Sequence, residues 1–430
     1  MKKAYQIVIL SFIVLAAFSS ISQAVVFETV DWDSIIRQAQ EQNPSIIEAK
    51  ISLDNAEIAY RRAIGELFPE IGLSAGLSQS GSDEREASKS LSYGISASLN
   101  IFNGFSNYYL IKQRNADLQS AKAKYNRAIS DAAFDLANAY INLMWAYETV
   151  SLLETIRDRR SENKEMLNLK YNSGNVDLGS LKRVIADVET AQLDLRKAQR
   201  YIETASIALL SILGRNEINV ILQTQERLPM NGRQIKKPNF AQVVENIPEY
   251  IIAKYSVESA KSQLNRTESS WYPSINMSAG ISRSNDEWQL SSYNESWNAG
   301  ISLNYSLFSG GKNILDIDSA KNNLKTAQNN FRAINYSLIS KAVAAFNNLL
   351  DAYETISVRS SYLEASKTQA EISERKYVNG LSSYQDWYSI ENDFINSQSK
   401  LLEARKSAAV IESQWRNFTG HGFFKLNYTE

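Results

Sequence analysis

The amino-acid sequence contains an internal duplication, so any fold proposed for the chain must be built twice. Leu67–Ser80 (LFPEIGLSAGLSQS) matches Trp271–Ser284 (WYPSINMSAGISRS), and Tyr171–Gly174 (YNSG) matches Tyr377–Gly380 (YVNG). The copies are 204 residues apart in the first match and 206 apart in the second, so only two extra residues separate them. A repeat of this kind predicts two structural units that share one architecture.

Each copy contains a long span that we expect to be helical. All six prolines lie outside 107–213 and 312–419, and both spans are rich in Ala, Leu, Lys, Glu and Gln. Apolar residues recur there at steps of three and four, as in a coiled-coil seam: Ile129, Ala133, Leu136, Tyr140, Leu143, Tyr147 and Val150, then Ile339, Ala342, Phe346, Leu349, Tyr353 and Ile356. Gly174 and Gly380 interrupt the spans, so each is predicted to turn there and return as a second helix.

Four shorter segments alternate between apolar and polar residues, which predicts β-strands at about 71–80, 91–102, 275–284 and 297–308. Beyond residue 24 no run of eighteen apolar residues occurs, so a mature chain that enters a membrane would have to do so as strands. The polar strand face consists of small uncharged residues, whereas a soluble sheet would carry charges there. We therefore expect the apolar face to contact lipid, through Tyr93, Ile95, Leu99, Met277, Ile281, Ile301 and Leu303.

Four strands are too few for a closed barrel, because transmembrane barrels begin at about eight strands. An open sheet edge in lipid would leave backbone groups without partners. The sequence therefore predicts that several copies of the chain share one barrel, two copies supplying eight strands or three supplying twelve.

The first 24 residues are predicted to be a secretory signal peptide. Lys2 and Lys3 precede an apolar run, and Ser22 and Ala24 place small residues at a cleavage site. Without this segment the net charge is about −3, and no basic block points to nucleic acid as a partner. With no cysteine and one histidine, His421, the sequence argues against disulfides, a catalytic triad and a zinc site. We expect no enzyme activity, cofactor or bound metal.

These features divide the chain into five parts. The signal peptide at 1–24 precedes a first repeat at 25–214, whose helical hairpin turns near residue 174. A linker at 215–239 leads to a second repeat at 240–420, whose hairpin turns near 380, and a tail at 421–430 follows.

Tandem halves, each with a strand pair between long helices and a Tyr-x-x-Gly turn, make the sequence resemble the TolC family of outer-membrane channel proteins. The resemblance covers nearly the whole mature chain. It implies a mixed α and membrane-β fold, in which coiled-coil hairpins form an α-barrel across the periplasm. Each chain would add four strands to a trimeric transmembrane β-barrel in the outer membrane. It also implies two partners, a periplasmic adaptor (membrane fusion) protein and an inner-membrane transporter.

The resemblance further implies particular site residues. Tyr377 matches a tyrosine that holds the periplasmic gate, and Asp386 matches an aspartate that forms a charged ring in the pore, which would favour cations. The adaptor would dock at the helical turns, which contain Tyr171, Gly174, Tyr377 and Gly380.

Several of the family's gate residues are replaced. Ser382 stands at the gate arginine, Ser389 at the second ring aspartate, and Gly179 and Ser180 at a Thr-Asp pair. A gate would therefore close through other contacts, for which Trp387 and Tyr388 are candidates. Ser383 and Asp386 also match a helix-capping box, so a local role for Asp386 stays open beside the ring.

The function expected from these observations is a passive export channel of a tripartite efflux or type I secretion system. The alternative is a periplasmic coiled-coil scaffold with a small soluble sheet and no pore. A tunnel lined by small polar residues selects weakly, so the sequence does not specify whether drugs, toxins or polypeptides pass through it.

Overall fold

The structure, a computed structural model, describes residues 26–82, 85–229, 235–286 and 293–422 of the 430-residue chain. The predicted signal peptide and most of the predicted tail lie outside the described residues, as do parts of the linker and of the two strand-connecting loops.

Apart from one short strand at the start of the first half, the two halves have the same order of elements. The first half contains β1 (Val26–Thr29), α1 (Trp32–Gln42), α2 (Pro44–Gly65), β2 (Glu70–Ser82), β3 (Arg85–Asn103), α3 (Ser106–Asn172) and α4 (Leu178–Ile212). After β4 (Val220–Gln223), the second half contains α5 (Phe240–Glu245), α6 (Pro248–Glu268), β5 (Ser274–Asn285), β6 (Asn294–Asn304), α7 (Lys312–Val378) and α8 (Tyr384–Phe418). Helices α3 and α7 each have 67 residues, and α4 and α8 each have 35. A helix of that longer length measures about 100 Å.

Four of the strands form an antiparallel sheet in the order β2-β3-β5-β6, with β2 and β6 at its edges. The register aligns apolar residues across all four strands, for example in the row Leu73, Ile95, Ile281 and Trp297. The opposite face carries rows of small polar residues, because side chains alternate between the faces. The alternating pattern of the sequence is therefore present across the whole sheet.

The strand ends differ from the predicted ones. The β2–β3 hairpin is longer, since its pairing continues to Ser82 and Arg85. Strand β6 ends at Asn304 rather than near 308, because β5 begins at Ser274, opposite Asn304, and offers no further partner. A bulge at Asn100–Phe102 shifts the register of β3 against β5 and returns Phe102 to the side of Ile275.

The transition from β3 to α3 depends on Gly104. It has φ +65°, and a Cβ atom there would lie 2.5 Å from the carbonyl oxygen of Ser269 and 2.8 Å from Cβ of Tyr272. Only glycine fits this close approach of the two halves.

Helix α3 packs against α2, α4, α6 and α8, whereas α7 packs against α6 and α8. Most residues of the predicted seams are buried, including Leu136, Tyr140, Phe346 and Leu349, whereas Ile339 is partly exposed. Among the described residues, no helix combines the length and the apolar character needed to cross a membrane.

The linker is packed against the helices near the middle of the bundle. Strand β4 pairs with β1 in parallel, and Leu222 and Leu228 are fully buried. Arg405 of α8 donates to the carbonyl oxygen of Leu228 and pairs with Glu148 of α3 at 2.6 Å. The described part of the linker thus joins both halves to one central core.

Candidate functional site at the helical tips and the strand face

Each hairpin reverses direction in a short turn, which we call the first tip (residues 170–178) and the second tip (residues 376–384). Both turns have the hydrogen bonds of a Schellman motif, closed by Gly174 with φ +74° and by Gly380 with φ +71°. A Cβ atom at either glycine would meet open space, so the backbone conformation alone selects glycine.

The matching tyrosines of the two tips have different surroundings. Tyr171 is exposed, whereas only 5% of the Tyr377 surface is accessible. Tyr377 stacks on Trp387 with ring centroids 4.9 Å apart, and Tyr384 lies against Trp387 and Tyr388. We call these four residues the tip aromatic cluster. Only the second tip therefore has a packed aromatic core.

The tip aromatic cluster contains polar atoms without hydrogen-bond partners. They are the hydroxyls of Tyr377 and Tyr384 and the indole nitrogen of Trp387, and nearby Ser382 has an unpartnered hydroxyl as well. Burial raises the pKa of Tyr384 to about 12, so its hydroxyl stays protonated at neutral pH. A buried donor without a hydrogen-bond partner costs free energy, so these groups destabilise the packing of the cluster.

Lys170 joins the first tip to the end of α7. Its Nζ donates to the carbonyl oxygens of Tyr377 at 3.1 Å and Val378 at 3.3 Å, and it lies 4.7 Å from the centre of the Tyr377 ring. A cation is favourable here because the last carbonyls of a helix lack helical partners and carry partial negative charge.

Helix α8 also contacts α4 and α3 through polar side chains. The Tyr388 hydroxyl donates to Asp187 at 2.8 Å, and the guanidinium of Arg183 lies 4.8 Å from the Tyr388 ring centre. Arg160 of α3 donates to the Asn392 side chain. These contacts fix one side of α8 on the first hairpin.

The most buried charge of this region is Glu391 of α8, whose side chain is 1% exposed. Its two oxygens accept from Arg159 of α3 at 2.5 and 2.8 Å, and Oε1 also accepts from Asn163 at 3.0 Å. The hydrogen bond to Glu391 is the main reason that the pKa of Arg159 is raised. We call Arg159, Asn163 and Glu391 the buried charge cluster.

Asp386 is exposed and lies in the first turn of α8, whose N-cap is Ser383. Its backbone N–H donates to the Ser383 hydroxyl at 3.1 Å, and that hydroxyl donates to the Asp386 carboxylate at 2.7 Å. Ser383 therefore supplies the cap, and the contact of Asp386 with it leaves one carboxylate oxygen free of this bond. Gly179 and Ser180 lie at the start of α4, where Asp177 supplies the cap.

Sequence reasoning missed the buried charge cluster because its partners lie 232 residues apart. One signal was available. Glu391 lies four residues after Trp387 and three before Phe394, both buried, so it occupies an inward position of the helical repeat. A carboxylate at such a position requires a partner.

The residues predicted to face lipid lie on the aligned apolar face of the sheet. Ile301 and Leu303 on β6 are largely exposed, and Ile95, Met277 and Ile281 are about half exposed. Tyr93 and Leu99 on β3 are less accessible than these. In the single chain this face is covered by no other element of the described structure.

The sequence matches the family model described as outer membrane efflux protein over residues 35–215 and 242–421. The chain belongs to this family. The two matched ranges correspond to the two duplicated halves, and the expected family, its export function and its outer-membrane location are confirmed.

Known members are distant in sequence but similar in length and fold. Cation efflux system protein CusC of Escherichia coli O157:H7 is 21% identical over 407 residues, which cover 91% of this chain and 86% of the relative. Outer membrane protein TolC of Vibrio cholerae is 22% identical, with 94% and 96% covered. A crystal structure of CusC superimposes with a TM-score of 0.81 at 18% identity, covering 94% and 96%. The expected fold class, coiled-coil hairpins with four strands per chain for a shared barrel, is confirmed.

Among the described residues, no group of three or more His, Cys, Asp or Glu side chains is arranged to hold a metal ion.

Proposed function

We propose that three copies of this efflux protein form one passive export duct. Each chain contributes the sheet β2-β3-β5-β6, whose edges β2 and β6 have no strand partners within the described chain. Pairing β6 of one copy with β2 of the next closes a ring and satisfies both edges, as lipid requires. Three copies give twelve strands, the number implied by the resemblance.

The single observation that carries this proposal is the apolar face that continues across an open-edged sheet. The row of Leu99, Met277 and Ile301 crosses three strands without a charged residue, whereas the row of Tyr93 continues to the ion pair of Arg283 and Glu295. Strand β5 has 12 residues, about 40 Å when extended and about 28 Å along the membrane normal at a 45° tilt. That height suits the hydrocarbon layer, so Tyr93, Ile95, Leu99, Met277, Ile281, Ile301 and Leu303 contact lipid.

The helices continue the duct away from the sheet and end at the two tips. Apolar side chains are exposed here, at 71% for Leu169 just before the first tip and at 76% for Leu381 in the second tip. A periplasmic adaptor docks at these turns, around Tyr171, Gly174, Tyr377 and Gly380, and links the duct to an inner-membrane transporter. The duct is a conduit and not an enzyme, since the transporter supplies the energy.

Tyr377 and Asp386 have separate roles at the second tip. Tyr377 holds the tip through its stack with Trp387. The exposed carboxylate of Asp386, repeated in three copies around the axis, forms a ring of negative charge that favours cations.

The test is the mass and the conductance of the purified protein in detergent. We expect native mass spectrometry to give three chains and planar-bilayer recordings to give discrete conductance steps. A monomer that stays in solution without detergent and never conducts would refute the proposal.

A further inference from the structure

We propose that a groove between α3 and α4 binds, inside the duct, an organic compound that carries one positive charge and an apolar ring. We call it the first-hairpin groove. It has a volume of about 310 Å³, and the residues that line it include Asp135, Asn138, Asn142, Tyr201 and Thr204. The inference rests on the proposed duct and names a class of compound that this duct would hold during export.

The first-hairpin groove opens on the side of the helices that faces away from the linker. Tyr147 of α3 donates to the carbonyl oxygen of Leu222, and Ser206 of α4 accepts from the N–H of Leu222, so both mark the linker side. At about 100° of rotation per residue, Asn142 and Thr204 project from the opposite side of the same two helices. A duct needs an open axis, so the linker lies outside it and the groove lines its interior.

Asp135 supplies a negative charge at one end of the groove. Asp131, one turn earlier, is already paired with Arg127 at 3.1 Å and accepts from Asn417, whereas Asp135 has neither an ion pair nor a hydrogen bond with any described residue. Partial burial and the nearby charge of Asp131 raise the pKa of Asp135, because no cation offsets them. A bound cation at this position would relieve both effects.

Tyr201 supplies an aromatic ring at the other end. It lies edge-on against Trp145 of α3, with ring centroids 5.6 Å apart, and 37% of its surface stays exposed. Trp145 follows Asp135 by ten residues, which is about 15 Å along a helix. The ammonium of Lys406 lies 4.0 Å from the Trp145 ring centre, so it repels a second cation from this end. The charge of the ligand is therefore directed to Asp135 and its ring to Tyr201.

The middle of the groove has polar walls and an apolar base. Ala139 and Ala205 are buried there. Asn138 and Asn142 line the same groove, and within the described part of the chain neither side-chain amide takes part in a hydrogen bond. An apolar base with a few polar groups, in a volume of this size, is typical of sites for small molecules.

The second half contains the equivalent groove with the opposite charge. It has a volume of about 360 Å³ and lies mainly between α7 and α8. At the spacing of 206 residues, Lys341 corresponds to Asp135, Ala344 to Asn138 and Asn348 to Asn142, and all three line the second groove. The same fold is therefore built with either charge at this position. Folding does not require the carboxylate of Asp135, which leaves it available for recognition.

The test compares two fluorescent ligands that differ in charge. Dansylcadaverine has a naphthalene ring and a tethered ammonium, and dansylamide has the ring alone. Both are titrated into the detergent-purified protein while dansyl fluorescence is recorded. Asp135→Asn keeps the shape of the side chain, and it should weaken dansylcadaverine binding about fivefold, or about 1 kcal/mol, as for a partly exposed charge pair. Its affinity for dansylamide should not change.

Two further variants make the result specific. Glu154→Gln removes an exposed carboxylate of α3 that lies outside the groove, so both affinities should stay as in the parent. Thr204→Arg places a positive charge in the groove and should weaken dansylcadaverine binding by at least about tenfold. If Asp135→Asn fails to assemble, Thr204→Arg alone decides, and an unchanged affinity there overturns the site.

The site is refuted if the parent does not bind dansylcadaverine, or if Asp135→Asn binds it as tightly as the parent. It is also refuted if Asp135→Asn weakens dansylamide equally, or if Glu154→Gln has the effect of Asp135→Asn, since the groove carboxylate would then not be what recognises the ligand.

Conductance separates this inference from the duct. A parent protein that never conducts overturns the duct, whereas the titrations judge the groove in either case. In a conducting parent, dansylcadaverine should reduce the single-channel current, and it should do so less in Asp135→Asn. An equal reduction in both proteins would mean that the groove does not line the duct, and this would overturn the inference.

Discussion

A lysine placed on the apolar face of the sheet should prevent assembly in the membrane. Ile95 is the best position, because it lies within β3 and is paired with Leu73 on one side and Ile281 on the other. About half of its surface is exposed in the single chain, so a longer side chain meets no protein obstacle. The substitution Ile95→Lys therefore tests contact with lipid and not packing.

The expected penalty follows from the position of the charge. A lysine near the bilayer midplane on the lipid face costs about 2–4 kcal/mol, hence about 6–12 kcal/mol for three copies in one barrel. This is comparable with the whole unfolding free energy of a typical domain, about 5–15 kcal/mol. We expect Ile95→Lys to reduce the assembled protein in outer-membrane fractions strongly.

The matched control is the next residue, Ser96, which lies on the opposite face between Gly72 and Gly280. A lysine there would extend into the water-filled interior and should leave the amount of assembled protein unchanged. The assay is the detergent-extracted trimer recovered from isolated outer membranes, measured for both variants. If Ile95→Lys assembles as well as Ser96→Lys, the apolar face does not contact lipid. If only Ser96→Lys fails, the two faces are assigned the wrong way round.

Three further predictions address other parts of the molecule. Asp386→Asn keeps the backbone cap of α8 and should lower the cation preference in reversal-potential measurements; an unchanged preference would remove this residue from the pore. Burial raises the pKa of Glu226, so its charged form destabilises the folded protein at neutral pH, and Glu226→Gln should raise the thermal midpoint there. This gain should vanish below the ordinary glutamate pKa, where the carboxyl is protonated in both the folded and the unfolded protein. Gly104→Ala would place Cβ against Ser269 at positive φ and should cost at least about 1–3 kcal/mol, measured as a lower denaturation midpoint.

The helices and strands were predictable because their patterns are local. Apolar residues spaced three and four apart predicted the helix seams, which are buried in the structure at Leu136 and Phe346. Strict alternation of apolar and polar residues predicted β3 up to its bulge at Asn100. The end of β6 was not predictable, since it depends on where β5 begins to offer a partner. The parallel pairing of β1 with β4 was equally hidden, because short strands far apart in sequence have no pattern that links them.

The candidate site was predictable in part. The turns at Gly174 and Gly380 followed from the glycines, yet the burial of Tyr377 and the exposure of Tyr171 did not, although the two residues occupy matching positions. Their difference arises from the neighbours that α8 brings, above all Trp387. Tertiary contacts of this kind are invisible in a local motif.

The duplication explains why the tip must differ between the halves. The two hairpins have helices of identical length, so the difference between the tips comes from side chains and not from the helix lengths. Glu391 and Arg159 form a buried ion pair between α8 and α3, whereas the equivalent positions of the other copy hold Ile185 and Ala365. The two copies share a fold because their helix and strand patterns are the same. They can take different roles because a few inward-facing positions hold different residues.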